Sequence, residues 1–253
     1  IEQDNSGVDI ILNSKILLKL IDKTKFAISN EETRYFLNGL YFNVTNEASK
    51  KIVTLVGTDG HRLAKFSHEI QGEIDKVSGV IIPKKTIYEL SKLLSEIDCE
   101  IKISISSNKI VFKILDIIFI SKLIDGSFPD YKRVIPKDNT NILKINRDKL
   151  LSAVDRVSTI ANEKSPVIKF KLLQNILNLN TINNENSTAS EDLTISYEGE
   201  EIEIGFNSKY IMDIVNNLED NEISIYLKND TSPVIAQENS NTDLVYVLMP
   251  MRV

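Results

Sequence analysis

The sequence predicts an α+β fold made of two copies of one module, each with antiparallel sheets on one face and two helices on the other. Three observations carry this expectation. The order helix, strands, helix, strands occurs twice along the chain. Strand-like runs, 101–106 (Ile-Lys-Ile-Ser-Ile-Ser) the clearest, alternate apolar and polar residues, as antiparallel sheet with one covered face does. The 253 residues are enough for two cores of ordinary size.

Residues 14–23 place Ile16, Leu17, Leu20 and Ile21 at helical spacing, with Asn13 or Ser14 as the cap. Lys15, Lys19 and Lys23 repeat at i, i+4 and i+8, so they form one basic stripe. Residues 34–43 read as an aromatic strand. Residues 52–56 read as another, ending in a turn at Asp59-Gly60. A strand at 80–82 leads to Pro83, which suits the first turn of a helix carrying Tyr88, Leu90, Leu93 and Leu94. Strands follow at 101–106, 110–114 and 117–123, the first two joined at Ser107-Asn108.

The second copy starts with a helix over 147–160. Strands at 167–172 and 176–180 follow, then a polar loop over 181–192 and strands at 193–197 and 201–206. Asn207 caps a helix whose apolar positions are Tyr210, Ile211, Ile214, Val215 and Leu218. A hairpin turns at Asn229-Asp230 between 223–228 and 232–237, and the last strand covers 244–249. Ile28-Ser29-Asn30-Glu31 overlays Ile160-Ala161-Asn162-Glu163, and Lys84-Lys85-Thr86-Ile87 falls near Ser208-Lys209-Tyr210-Ile211. The modules are expected at 1–138 and 139–253.

Composition narrows the chemistry. With 42% hydrophobic and 26% charged residues, this is a folding chain, not a disordered one. Its longest apolar runs fall far short of the roughly 18 residues of a membrane span. The single cysteine, Cys99, excludes an internal disulfide and a cysteine zinc site; its neighbours Asp98 and Glu100 disfavour a thiolate. Two histidines, His61 and His68, exclude polyhistidine metal sites. No glycine-rich phosphate loop occurs. No cofactor, metal or catalytic residue is therefore expected. Asp59-Gly60-His61-Arg62 tempts a phosphoesterase reading, but no second carboxylate or nucleophile accompanies it, and a polar turn accounts for it. The net charge of −6 leaves room for a local basic face. The opening Ile-Glu-Gln-Asp, with neither an initiator Met nor a signal peptide, suggests a piece of a longer chain.

Four segments carry a resemblance: Arg34-Tyr35-Phe36-Leu37-Asn38-Gly39, Thr58-Asp59-Gly60-His61-Arg62-Leu63-Ala64, 121–131 (Ser-Lys-Leu-Ile-Asp-Gly-Ser-Phe-Pro-Asp-Tyr) and Met249-Pro250-Met251-Arg252. In this order they resemble the beta sliding clamp of bacterial DNA polymerase III, over essentially the whole chain and matching its second and third domains. The resemblance implies tandem clamp-fold domains and a processivity factor that encircles duplex DNA. It implies a non-catalytic subunit, and also a grouping with the DNA-directed DNA polymerase, a nucleotidyltransferase and so a transferase. The implied setting is the bacterial cytoplasm, on the nucleoid. The full-length protein would be a homodimeric ring; a fragment without the first domain is expected mainly as a monomer.

The implied partners are duplex DNA, bound without regard to sequence, and the short peptides of the polymerase alpha subunit, the clamp loader and other clamp-binding proteins. Such a peptide would carry a Gln near its start and Leu and Phe near its end. The family's peptide-binding cleft carries over to Arg34, Leu37, Thr58, Gly60, His61, Arg62, Leu63, Pro129, Arg133, Val134, Val247, Leu248, Met249, Pro250, Met251, Arg252 and Val253. Val253 stands where the pattern usually has Leu. Leu37, Leu63, Val134, Val247 and Met249 would form an apolar wall, with Met251 adding an adaptable thioether. Arg34, His61, Arg62 and Arg252 would hold polar groups of the peptide. The DNA-facing candidates on or beside the helices are Lys15, Lys19, Lys23, Lys84, Lys85, Lys92, Arg147, Lys149, Arg156 and Lys209. A peptide-binding module unrelated to DNA would leave these cations without a role, and a phosphoesterase using His61 would require a divalent metal.

Overall fold

The structure, a computed structural model, describes residues 8–47, 50–71, 77–162, 166–182 and 187–252. The chain divides into two units, Ile1–Pro129 and Asp130–Val253. The first runs β1 (Val8–Asn13), α1 (Ser14–Asp22), β2 (Gly39–Glu47), β3 (Lys50–Thr58), β4 (Arg62–Ile70), β5 (Val77–Pro83), α2 (Lys84–Leu94), β6 (Glu100–Ile105), β7 (Lys109–Ile114) and β8 (Ile117–Lys122). Its strands pair antiparallel in the orders β1-β6-β7-β8 and β5-β2-β3-β4.

The second unit repeats the order with β9 (Asn141–Asn146), α3 (Arg147–Ser158), β10 (Val167–Leu173), β11 (Ile176–Ile182), β12 (Thr188–Thr194), β13 (Ile202–Asn207), α4 (Ser208–Asn216), β14 (Glu222–Leu227), β15 (Val234–Glu238) and β16 (Leu244–Leu248). Its antiparallel runs, β9-β14-β15-β16 and β13-β10-β11-β12, reproduce the pairings of the first unit strand for strand. The expected duplication of an α+β module with a small helical face is what the chain forms.

Each helix leaves a strand with no loop between them. Asn13, Asn146 and Asn207 accept the amides of Lys15, Lys149 and Lys209 at 2.9, 3.0 and 3.0 Å, satisfying donors that a first turn leaves open. Pro83, with φ −58°, stands in the capping place before α2 and has no N–H to satisfy. The inner helix faces are apolar: Leu17, Leu20 and Ile21 on α1, Ile87, Leu90 and Leu94 on α2, Leu150, Val154 and Val157 on α3, and Ile211, Ile214 and Val215 on α4. Helices α1 and α2 pack on strands of the first unit, α3 and α4 on strands of the second. Each such buried side chain contributes about 1.5–3 kcal/mol before the entropy of ordering.

Four local expectations change. Residues 34–38 are not strand: Tyr35–Leu37 forms a 3-10 turn closed by the Leu37 amide on the Arg34 carbonyl at 2.8 Å, and β2 starts only at Gly39. The loop expected over 181–192 is largely strand, because β11 runs to Ile182 and β12 starts at Thr188. The strand expected at 193–197 survives only as the end of β12 and a bridge from Ser196 to Lys144. Lys23 does not join Lys15 and Lys19 on a solvent stripe: it caps the C-terminus of α1 and is 8% exposed. Glu163, part of the internal overlay, lies outside the described residues.

Against the boundary expected at 138/139, residues 130–138 group with the second unit. Lys228 pairs with Asp138, and the Asn139 amide donates to the carbonyls of Tyr226 and Pro233, both at 2.9 Å.

Matching positions of the two units have diverged. In the first, the Phe128 ring stacks on Tyr41 at 4.9 Å, and Tyr41 in turn fills the space where a Cβ of Gly79 would sit. Gly79 lies four residues before Pro83, and Glu203 four before Asn207. Glu203 pairs with Lys169 at 2.7 Å, so a charged pair stands where the first unit has a covered aromatic ring.

Candidate functional site

The turn between β3 and β4 gathers five of the candidate residues. Gly60 adopts φ +89°, a conformation that favours glycine, and a Cβ there would lie 2.3 Å from the Arg34 guanidinium and push that side chain aside. The Asp59 carboxylate accepts the amides of His61 and Arg62 at 2.9 and 3.0 Å and the Arg62 Nε at 3.1 Å. Thr58 closes the other side, accepting the Gly60 amide at 3.1 Å and donating to the Arg62 carbonyl at 2.7 Å.

Two arginines hold the turn. Arg62 donates to the Phe26 carbonyl at 2.9 Å and lies over the Phe26 ring at 5.2 Å. Arg34 donates to the Asp59 carbonyl at 2.9 Å and makes a bidentate pair with Glu31 at 2.7 and 2.8 Å. That hydrogen bonding holds the Glu31 carboxyl below its ordinary range and raises the Arg34 guanidinium. Arg62 and Thr58 therefore build the turn, whereas His61 is presented on its outside. Tyr35, 53% exposed and edge-on to Phe36 at 5.9 Å, stands beside Arg34 and was not among the candidates. Its signal was the pair of aromatics directly after Arg34.

Of the expected apolar wall, Leu37, Leu63 and Val247 are buried, as is Leu248, and they serve as core. Val134 and Met249, each 38% exposed, face solvent. Pro129 is exposed at the end of the first unit. In the second, Arg133 is exposed and pairs with Asp130 at 2.9 Å. Met249 leaves β16 outward, Pro250 and Met251 are half-buried, and Arg252 is exposed. The Met251 amide donates to the Gly205 carbonyl at 2.8 Å. Val253 lies outside the described residues.

The helix cations fall into two groups. Lys15, Lys19, Lys85, Lys92, Lys149, Arg156 and Lys209 are exposed. Lys15 pairs with Asp98 at 2.6 Å and Lys92 with Glu89 at 3.2 Å, while Arg156 grips Glu191 at 2.6 and 3.0 Å, which holds that carboxyl below its ordinary range. Lys85, Lys149 and Lys209, each in the first turn of its helix, make no ion pair among the described residues. The second group turns inward. Besides Lys23, Arg147 donates to the Leu218 carbonyl at 2.8 Å and pairs with Asp148, and Lys84 bonds Asn30 and lies over Tyr88 at 5.6 Å. Among the described residues, no group of three or more His, Cys, Asp or Glu side chains is placed to hold a metal ion.

A duplicated β-α-β-β-β-β-α-β-β-β module with exposed lysines in its helix first turns defines a clamp-type subunit. Family models for the DNA polymerase III beta subunit match twice: the central domain over residues 11–130 and the C-terminal domain over 132–252. The beta sliding clamp of Caulobacter vibrioides is 39% identical over 250 residues, covering 99% of this chain and 67% of its own length. That of Escherichia coli is 36% identical over 247 residues, covering 98% and 66%. The crystal structure of the Bartonella birtlesii sliding clamp bound to griselimycin superposes with a TM-score of 0.96 at 43% identity, covering 100% of this chain and 68% of that one. The chain belongs to the beta sliding clamp family of bacterial DNA polymerase III and corresponds to its central and C-terminal domains. Its function is that of a DNA sliding clamp, a processivity factor. The grouping with transferases and nucleotidyltransferases is withdrawn, because the matched relatives are the non-catalytic accessory subunit, not the polymerase.

Proposed function

We propose that the two units form part of a ring around duplex DNA and touch its phosphates through the first turns of their helices. The observation that carries this is the placement of Lys15, Lys85, Lys149 and Lys209. Each sits in a helix first turn; the first turns of α1, α2 and α4 contain no acidic residue, and only Lys15 of the four makes an ion pair among the described residues, with Asp98. A cation there is opposed by the helix macrodipole, so these lysines work against local stability. A phosphate at the same place would meet the ammonium at the end of the helix whose dipole favours an anion. Such contacts carry no sequence information and weaken with salt, as sliding requires.

The test is binding of a linear duplex across a salt series, comparing the parent with a variant carrying Lys85→Gln, Lys149→Gln and Lys209→Gln. Each lost phosphate contact lowers the slope of log affinity against log salt by about 0.9. An unchanged slope overturns the assignment.

The proposal extends to tethering. In the second unit Val134, Met249 and Met251 supply apolar contacts and Arg252 a polar one for the short peptides of the polymerase alpha subunit, the clamp loader and other partners; in the first unit Arg34 and His61 offer polar groups of the same kind. The work site is the bacterial cytoplasm, on the nucleoid. Calorimetric titration with a synthetic peptide bearing an early Gln and terminal Leu and Phe tests the tethering; absence of heat at high micromolar peptide contradicts it.

A further inference from the structure

We propose that the Met251 amide is a positioning element for peptide binding: by donating to the Gly205 carbonyl it holds residues 249–252 in the conformation that a peptide meets. This rests on the peptide-binding reading above. The bond is 2.8 Å long and forms an isolated antiparallel bridge to β13. β13 ends the run β12-β11-β10-β13, so its outer edge offers backbone groups that have no strand partner.

The first unit contains the same device. There the Ile124 amide donates to the Ile81 carbonyl at 2.9 Å. The acceptors are equivalent: Ile81 lies two residues before Pro83, the residue preceding α2, and Gly205 two before Asn207, the residue preceding α4. The donors are equivalent as well, each following the last strand of its unit, β8 or β16. In the first unit the bond falls four residues before Phe128, which stacks on Tyr41. In the second, the same bond falls on the segment that carries Met249, Met251 and Arg252.

Beyond the partial burial of Pro250 and Met251, few polar contacts hold that segment. Pro250 has no N–H to give. The side chains of Met249 and Arg252 make no hydrogen bond or ion pair among the described residues. A segment beyond the last strand frays unless it is tied down. A ligand binding a frayed segment must order it first, and that cost is subtracted from affinity. The bridge removes the cost in advance.

The experiment compares Met251→Ala with Met251→Pro by calorimetric titration with the synthetic Gln…Leu-Phe peptide, after equal thermal unfolding has been verified. The alanine variant loses the thioether and keeps the amide; the proline variant loses both. Removing one hydrogen bond predicts a Kd roughly fivefold or more higher for the proline variant than for the alanine variant. Equal affinities overturn the proposal while leaving peptide binding intact. A parent chain that binds no peptide overturns the peptide-binding reading itself. If the proline variant does not fold, amide exchange in the parent without peptide decides: protection of the Met251 amide comparable to that of Ile124 supports the bridge, and free exchange overturns it.

Discussion

Asp59 and Arg62 form an ion pair at 3.1 Å in which the side chains are only 15% and 10% exposed, and the same carboxylate also accepts the Arg62 amide at 3.0 Å. Removing the carboxylate leaves a guanidinium largely cut off from water. Asp59→Ala is expected to destabilise the chain by about 3 kcal/mol. The comparison is Glu31→Ala, which breaks an exposed pair and is expected to cost less than about 1 kcal/mol. Urea unfolding of both variants checks this, and equal losses would show that the turn is not held by its buried pair.

Gly79 and Tyr41 are expected to be energetically coupled. A Cβ on Gly79 would lie 1.9 Å from the Tyr41 hydroxyl oxygen, so Gly79→Ala must displace the ring and with it the Phe128 stack. Overpacking of this kind costs about 1–3 kcal/mol. With Tyr41→Ala in the background the clash disappears, and Gly79→Ala should then be close to neutral. A double-mutant cycle measured by urea unfolding reads the coupling; additive effects would contradict it.

Leu37 and Met249 should separate stability from binding. Leu37 is buried, so Leu37→Ala is expected to cost about 2–5 kcal/mol of stability. Met249 projects to solvent, so Met249→Ala should leave thermal unfolding nearly unchanged and weaken binding of the synthetic peptide several-fold. Calorimetry beside a thermal scan distinguishes the two, and full peptide affinity in Met249→Ala would remove that side chain from the site.

The Glu191 carboxyl is held below its ordinary range by hydrogen bonds from Arg156. A depressed folded value stabilises the fold at pH above the ordinary carboxylate range, and the contribution is lost as pH falls through the lower, folded value. Arg156→Gln should return the Glu191 titration upward and flatten the acid-side fall in unfolding midpoint. Carbon NMR of the Glu191 carboxyl measures the titration; a midpoint unmoved in the variant would refute the assignment.

The duplicated order was legible because apolar residues recur at helical spacing in 14–23 and 207–218, each with an asparagine that can cap it, and because 101–106 alternate cleanly. What the sequence hid has physical reasons. β12 has no buried residue, so its polar sequence Thr-Ala-Ser-Glu-Asp-Leu-Thr shows no apolar period. In β4, Phe66 and Ser67 are both buried, which breaks the alternation that would have revealed the strand. At the site, residue type could not separate Leu37 and Leu63, which are core, from Met249, which is surface; only packing distinguishes them. Lys23 followed the helical period of Lys15 and Lys19 but fell one residue past the end of α1.

The contrast between Tyr41 over Gly79 and Lys169 with Glu203 makes the two units non-interchangeable parts. Lysine at 41 and glutamate at 79 in the first unit would set an ammonium and a carboxylate beneath Phe128, where both would lose water. Tyrosine at 169 and glycine at 203 would put an aromatic ring where the second unit has a partly exposed ion pair. Each module is thus addressed to its place in the series by a few side chains on one sheet face, although strand order and pairing are the same in both.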